Sequence, residues 1–241
     1  GNMLANIPCV AGATLLGEAT TFFADQWYYL EFQAVVRTGA NGSLTVKQDG
    51  VTILTLSSVN TANQGTDGAD RVRGLFRVIN GVSLWDDWYV SDDSTFLGDI
   101  VIEGIHPTSD GNRTEWTPDT GSTNFDRVDD AAGSPSDSDK VTADTPALTD
   151  LYGYGALTFA GSSTTIHALQ LNTSAFMGTS GTRVLHPKFR QSTTEADGAD
   201  FTVPDTTPAT YSEVFPTDPT DSTAWTKAKV DAIEMGMELV S

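Results

Sequence analysis

Between residues 27 and 56 apolar and polar side chains take turns along the chain. Tyr28, Leu30, Phe32, Ala34 and Val36 fall on one side and Tyr29, Glu31, Gln33 and Val35 on the other, the two-residue period of a half-buried strand. Leu44 and Val46 then alternate with Ser43, Thr45 and Lys47, and Val51 opens a third run. Asp49-Gly50 between the last two supplies the two positive-φ positions of a tight hairpin. Three consecutive antiparallel strands are expected, joined by the loop 38–42 and the Asp49-Gly50 turn.

The rest of the chain carries shorter runs. Residues 1–26 hold small apolar patches cut by Pro8, Gly12 and Gly17, which fits an N-terminal arm or edge strands. A polar, exposed loop is expected at 60–70, then strands at 71–79 and 82–90 around an Asn80-Gly81 turn. In the second of these, Leu84, Trp88 and Val90 share one face while Trp85 and Tyr89 share the other, so both faces should be covered. A strand at 97–105 should end at His106-Pro107, because proline cannot donate to a ladder. Residues 108–155 are mostly Asp, Ser, Thr, Gly and Pro, and read as a long surface loop or linker.

Strands resume at 156–159, 166–171, 182–191, 201–203 and 211–215. A short helix is expected over 227–235, with Thr226 as N-cap, a Trp225–Val230 staple and Gly236 as a left-handed C-cap; Lys229 stands where a capping box would place Glu. A closing strand at 237–240 follows. The pattern gives an all-β chain, an antiparallel β-sandwich or jelly roll in two β-rich halves, 27–107 and 156–241.

Charge removes whole classes of function. A net charge of −19 provides no basic face for nucleic acid or for an anionic membrane surface. The acids are spread along loops, as in a self-repelling, solvated surface. Cys9 is the one cysteine, so an intrachain disulfide and a thiolate-built zinc site are both excluded. No apolar run is long enough to span a bilayer, and no leader pattern is visible. The opening Gly1-Asn2-Met3 fits a tag remnant, a processed chain or a piece of a longer one.

Candidate chemistry is sparse. His106, His167 and His186 stand singly, with no second ligand at metal spacing, and no nucleophile or phosphate-loop motif is present. Sandwich hydrolases place two acids on one strand face, but Asp86-Asp87 and Asp92-Asp93 are adjacent and point apart; Tyr29, Glu31 and Gln33 share a face with one acid missing. Asp92-Asp93, Asp110-Gly111-Asn112 and 137–139 are oxygen-rich loops of the kind calcium accepts, though turn aspartates also occur for their own sake. Trp85, Trp88, Tyr89 and Trp116 are the candidate glycan or partner contacts, against the competing reading of core packing.

Three segments carry a resemblance. The run WYYLEF through LTVKQDGV resembles later strands of laminin-G-like or concanavalin-like jelly rolls. LWDDWYVSDD, GDIVIEGIHPTSDG and EWTPDTG, with IHALQLNTSAF and the terminal YSEVFPTDPTDSTAWTKAKVDAIEMGMELVS, are similar to uncharacterised structural proteins of tailed-bacteriophage virions. The resemblance implies a β-sandwich virion component without catalysis, and it brings no functional residues. A full concanavalin-like sandwich needs more strands than 26 residues before Trp27 can hold, so a reduced sandwich, or one completed by the second half or another subunit, is expected.

The expected role is therefore a non-enzymatic, homo-oligomeric part of the particle exterior, on tail or capsid, assembled in the host cytoplasm with other virion proteins. It needs no cofactor, calcium being the one candidate. A host-glycan-binding module is the alternative, and a glycan hydrolase a third.

Overall fold

The computed structural model describes residues 5–11, 14–22, 25–62, 67–68, 84–92, 94–130, 136, 138–158, 164–179 and 181–241. The protein is all-β and antiparallel, with one short α-helix near its end among the described residues. It divides into two compact units, residues 1–102 and 103–241.

In the first unit β1 (Ala5–Ala11) pairs with β2 (Thr14–Phe22). β3 (Leu30–Val35), β4 (Gly42–Gln48) and β5 (Val51–Val59) form a second sheet in sequence order. The hairpin between β4 and β5 turns through Asp49 (φ 51°) and Gly50 (φ 77°), as the Asp-Gly pair requires. Asp49 also clamps the neighbouring strand entry, its amide donating to the Tyr29 carbonyl and its carboxylate accepting the Tyr29 amide. Of the loop expected at 60–70, residues 60, 67 and 68 are exposed while Ala62 is buried, and the amides of Thr61 and Ala62 both donate to the Arg37 carbonyl.

The buried side of β3 is the polar one. Glu31 is 4% exposed while Phe32 is 51% exposed. What covers the polar face comes from the chain between 87 and 102; among the described residues of the strands expected at 82–90 and 97–105, none is in a strand. The backbone there turns through left-handed Asp87 (φ 50°) and Gly98 (φ 90°), which breaks the extended alternation. Its polar groups then bond to side chains instead of a ladder: the Ile102 amide donates to Asp87, the Gly98 amide to Glu31, and the Gln33 side chain to the Ser94 carbonyl. The strand expected at 71–79 and its Asn80-Gly81 turn lie outside the described residues.

The second unit contains β6 (Pro107–Thr114), β7 (Thr117–Pro118), β8 (Val141–Thr142), β9 (Thr149–Tyr154), β10 (Leu169–Ala175), β11 (Arg183–Gln191), β12 (Thr194–Asp197), β13 (Phe201–Val203), β14 (Ala209–Phe215), α1 (Lys227–Val230) and β15 (Glu234–Leu239). Its main sheet runs β12-β11-β15-β9-β6, with β13 also paired to β11. β10 and β14 form a second layer: Leu169, Leu171 and Phe215 pack on Phe189 of β11 and Met235 of β15.

Four expectations are corrected here. Pro107 opens β6 rather than ending a strand, a position where its missing N–H costs nothing. The stretch 108–155 is not a structureless linker, since β6 and β9 lie in the main sheet. Its apolar period is missing because its core positions are polar: buried Asp150 accepts from the Trp116 amide (2.9 Å), the Asn124 side chain (2.6 Å) and the Tyr152 hydroxyl (2.8 Å). The strand expected at 156–159 is found earlier, at β9, and residues 155–158 are irregular. The helix stops at Val230, and Gly236 lies inside β15, where a methyl group would run into the Asp150 carbonyl of β9. Thr226 does cap α1, accepting from the Lys229 amide, and Trp225 and Val230 share one buried cluster.

Candidate functional site

The four aromatic residues singled out in the sequence fall in both units, Trp85, Trp88 and Tyr89 in the first and Trp116 in the second. Trp116 belongs to the second unit and is structural there: its indole N–H donates to the Leu148 carbonyl (2.9 Å) and it packs on the cluster of Met177, Leu185 and Met237. Tyr89 is half-buried, its hydroxyl donating to Glu31 (2.9 Å). Trp85 and Trp88 are the displayed pair, 47% and 51% exposed, with Leu84 and Val90 exposed beside them. Both faces of this segment were expected to be covered. Tyr89 is the covered member, while the left-handed turn at Asp87 interrupts the extended alternation between Trp85 and Trp88.

The Glu31 surroundings explain why the Tyr29, Glu31, Gln33 face holds no exposed acid. Burial alone would raise the Glu31 carboxyl, but the neighbouring Tyr29 hydroxyl, the Gly98 amide, the Tyr89 hydroxyl and the Lys47 ammonium outweigh it and hold it below the usual carboxylate range. Lys47 in turn lies 4.0 Å from the centre of the Phe96 ring. The group is a fastener between the sheet and the chain over it.

One of the oxygen-rich loops, at Asp110, is engaged within the protein. One Asp110 oxygen accepts the amides of Asn124 (2.9 Å) and Phe125 (2.7 Å), fixing the 3-10 turn at Phe125–Arg127. Asp93 and Asp137 lie outside the described residues. A sequence not singled out beforehand, 218–223, folds around Lys229: its ammonium contacts Asp218 (2.8 Å), both Asp221 oxygens (2.6 and 2.7 Å) and the Thr223 hydroxyl (2.8 Å).

A shallow hollow between the two layers of the second unit is flanked by Asp200 and Glu213, with Phe201 stacked on Tyr211 at 4.2 Å. Glu213 accepts the Ala199 amide through both oxygens, and Asp200 contacts His186.

The densest group of titratable side chains stands on the main sheet's other face. β11 presents His186, Lys188 and Arg190; β15 presents Glu234 and Glu238; β12 presents Glu195 and Asp197. His186 Nε2 is 3.6 Å from Asp197 Oδ1 and 3.8 Å from Glu238 Oε2, and these three atoms all lie within 4.8 Å of one another. Lys188 Nζ bridges the same two oxygens at 2.7 and 3.0 Å. Burial would lower the Lys188 amine, but Asp197 and Glu238 more than compensate and hold it above its ordinary value. Sequence reading set His186 aside because no partner stands near it along the chain; the partners come from strand register, which brings Glu238 opposite it and Asp197 opposite Lys188.

Compared with family models, with curated proteins and with solved structures, the chain matches none.

Proposed function

We propose that this chain is a non-enzymatic structural component of a tailed-phage particle, in which the second unit is a self-contained body and the first unit docks onto neighbouring particle proteins, copies of itself among them. One asymmetry carries this reading. Of the fifteen buried hydrophobic residues among those described, Val46 and Ala62 alone belong to the first unit, whereas ten of the eleven exposed large hydrophobics do, Val214 being the exception. The described residues of the first unit, which display Trp27, Phe32, Trp85 and Trp88 and bury only Val46 and Ala62 among their apolar side chains, have the composition of half an interface. The phage assignment and the jelly-roll form rest on the sequence resemblance of the three segments. Tail or capsid exterior is the site that assignment implies.

The test is particle assembly with the full chain supplied as wild type or as Phe32→Ser/Trp88→Ser, followed by mass spectrometry of gradient-purified particles. The wild type should enter the particle and the double variant should stay in the soluble fraction with its far-UV spectrum intact. A wild-type chain found only free and monomeric would sink the reading.

The exposure of Trp85 and Trp88 favours a second reading, glycan binding by the indole pair. Glycan-array binding that disappears in Trp85→Ala and Trp88→Ala, without particle incorporation, would put it in first place.

A further inference from the structure

We propose that His186, Asp197 and Glu238 form a binding site for a divalent transition-metal ion of the zinc class. His186 and Lys188 are two apart on β11 and project from one face; Asp197 on β12 pairs with Lys188 and Glu238 on β15 pairs with His186. The donors thus come from three adjacent strands of one sheet, a stiff support.

The imidazole is oriented for the task. Its Nδ1 lies 3.1 Å from Asp200 Oδ1, a contact that requires the proton on Nδ1. Nε2, on the other side of the ring, is buried with no hydrogen-bond partner in a side chain only 12% exposed. It faces two carboxylate oxygens at 3.6 and 3.8 Å. The two oxygens share the Lys188 ammonium at 2.7 and 3.0 Å, and the imidazole nitrogen completes a set of three donors within 4.8 Å of one another. Carboxylate behind imidazole, with the second ring nitrogen free, is the arrangement that orients histidine ligands in metal sites.

Distances fit as well. Four-coordinate zinc with bonds of about 2.0–2.2 Å separates its ligand atoms by roughly 3.4 Å, so the two histidine–carboxylate gaps need to close by a few tenths of an ångström. A mixed nitrogen and oxygen donor set suits zinc, cobalt or nickel, whereas calcium and magnesium favour oxygen alone. Water would fill the fourth position.

Lys188 is the internal competitor. Its ammonium sits on the two oxygens that the metal would take, and Glu195 at 4.0 Å offers it a place to swing to. Metal binding therefore exchanges one positive charge for two among Asp197, Asp200 and Glu238.

Isothermal titration of the chelator-stripped full chain with zinc chloride, with calcium and magnesium chloride as comparators, tests this. One equivalent of zinc should bind, at least tenfold more tightly than either comparator. Asp200→Asn, at a side chain 63% exposed and so safe for folding, should weaken zinc by about 10–100-fold. Lys188→Met should tighten it severalfold, a direction that a damaged fold would not produce. Zinc should also move the nitrogen resonance of His186 Nε2. Absence of binding, binding unchanged in both variants, as adventitious surface ions would give, or zinc heat without that resonance shift would each overturn the site.

Discussion

At Glu31 a carboxylate sits 4% exposed beneath the Tyr89 hydroxyl and the Gly98 amide, so its removal takes away both the charge and the groups' shared acceptor. Glu31→Met should cost about 1–3 kcal/mol, the range for stranding buried donors, read as a lowered urea midpoint. The acid side of the stability profile follows from carboxyls of the same kind. Asp218 is buried, which would raise it, but Lys229 and the Thr220 hydroxyl and amide prevail and lower it. Asp221 is lowered to about 2 by Lys229 and by Thr223. Groups depressed on folding contribute stability that is complete above the ordinary carboxylate range and is lost as pH falls through their folded values. Asp150 has the opposite sign: burial raises it beyond what its donors offset, so its contribution is present in acid and is lost as pH rises through the raised value. Lys229→Met removes the chief partner of Asp218 and Asp221. Its acid unfolding midpoint, followed by tryptophan fluorescence, should move to higher pH, and an unchanged midpoint would show that the cluster contributes nothing below pH 4.

Elements differ in how openly the sequence announces them. The β4–β5 hairpin was legible because Asp49-Gly50 and the flanking alternation state turn and register together. Its inside was not, since alternation separates two faces without saying which one a later segment covers; the cover over Glu31 and Gln33 comes from 87–102. β6 and β9 were hidden because Asp110, Thr149 and Asp150 occupy positions where apolar residues would have marked a strand. The His186 cluster was hidden for another reason, being assembled by pairing across β12, β11 and β15 from residues far apart in the chain. Gly236 carried a true signal that was assigned to the wrong cause. A glycine is needed there for the close passage of β15 along β9, not for a left-handed turn. Gly236→Ala should therefore cost at least about 1–3 kcal/mol through overpacking, seen as a lowered melting temperature; a helix C-cap glycine at positive φ would be recognised instead by tolerance of Asn, which β15 should not accept.

On the scale of the whole molecule, apolar burial among the described residues is concentrated in one unit and apolar display in the other. Both hydrophobic clusters, around Phe189 and Trp225 and around Leu185 and Met237, draw entirely on residues after 102. Limited proteolysis should accordingly yield a resistant fragment starting near residue 103, with its own cooperative melt; simultaneous loss of both units at the lowest protease doses would contradict the division.

The order of the main sheet also governs when it can exist. β15, from 234–239, lies between β11 and β9, whose residues precede it by roughly 45 and 85 positions. Until a ribosome has added β15, the two neighbours have no middle strand to join them and their edges stay open to strangers. The second unit must therefore close after synthesis of that stretch, in a single late step, and a nascent chain stalled before it would be prey to aggregation and to chaperones.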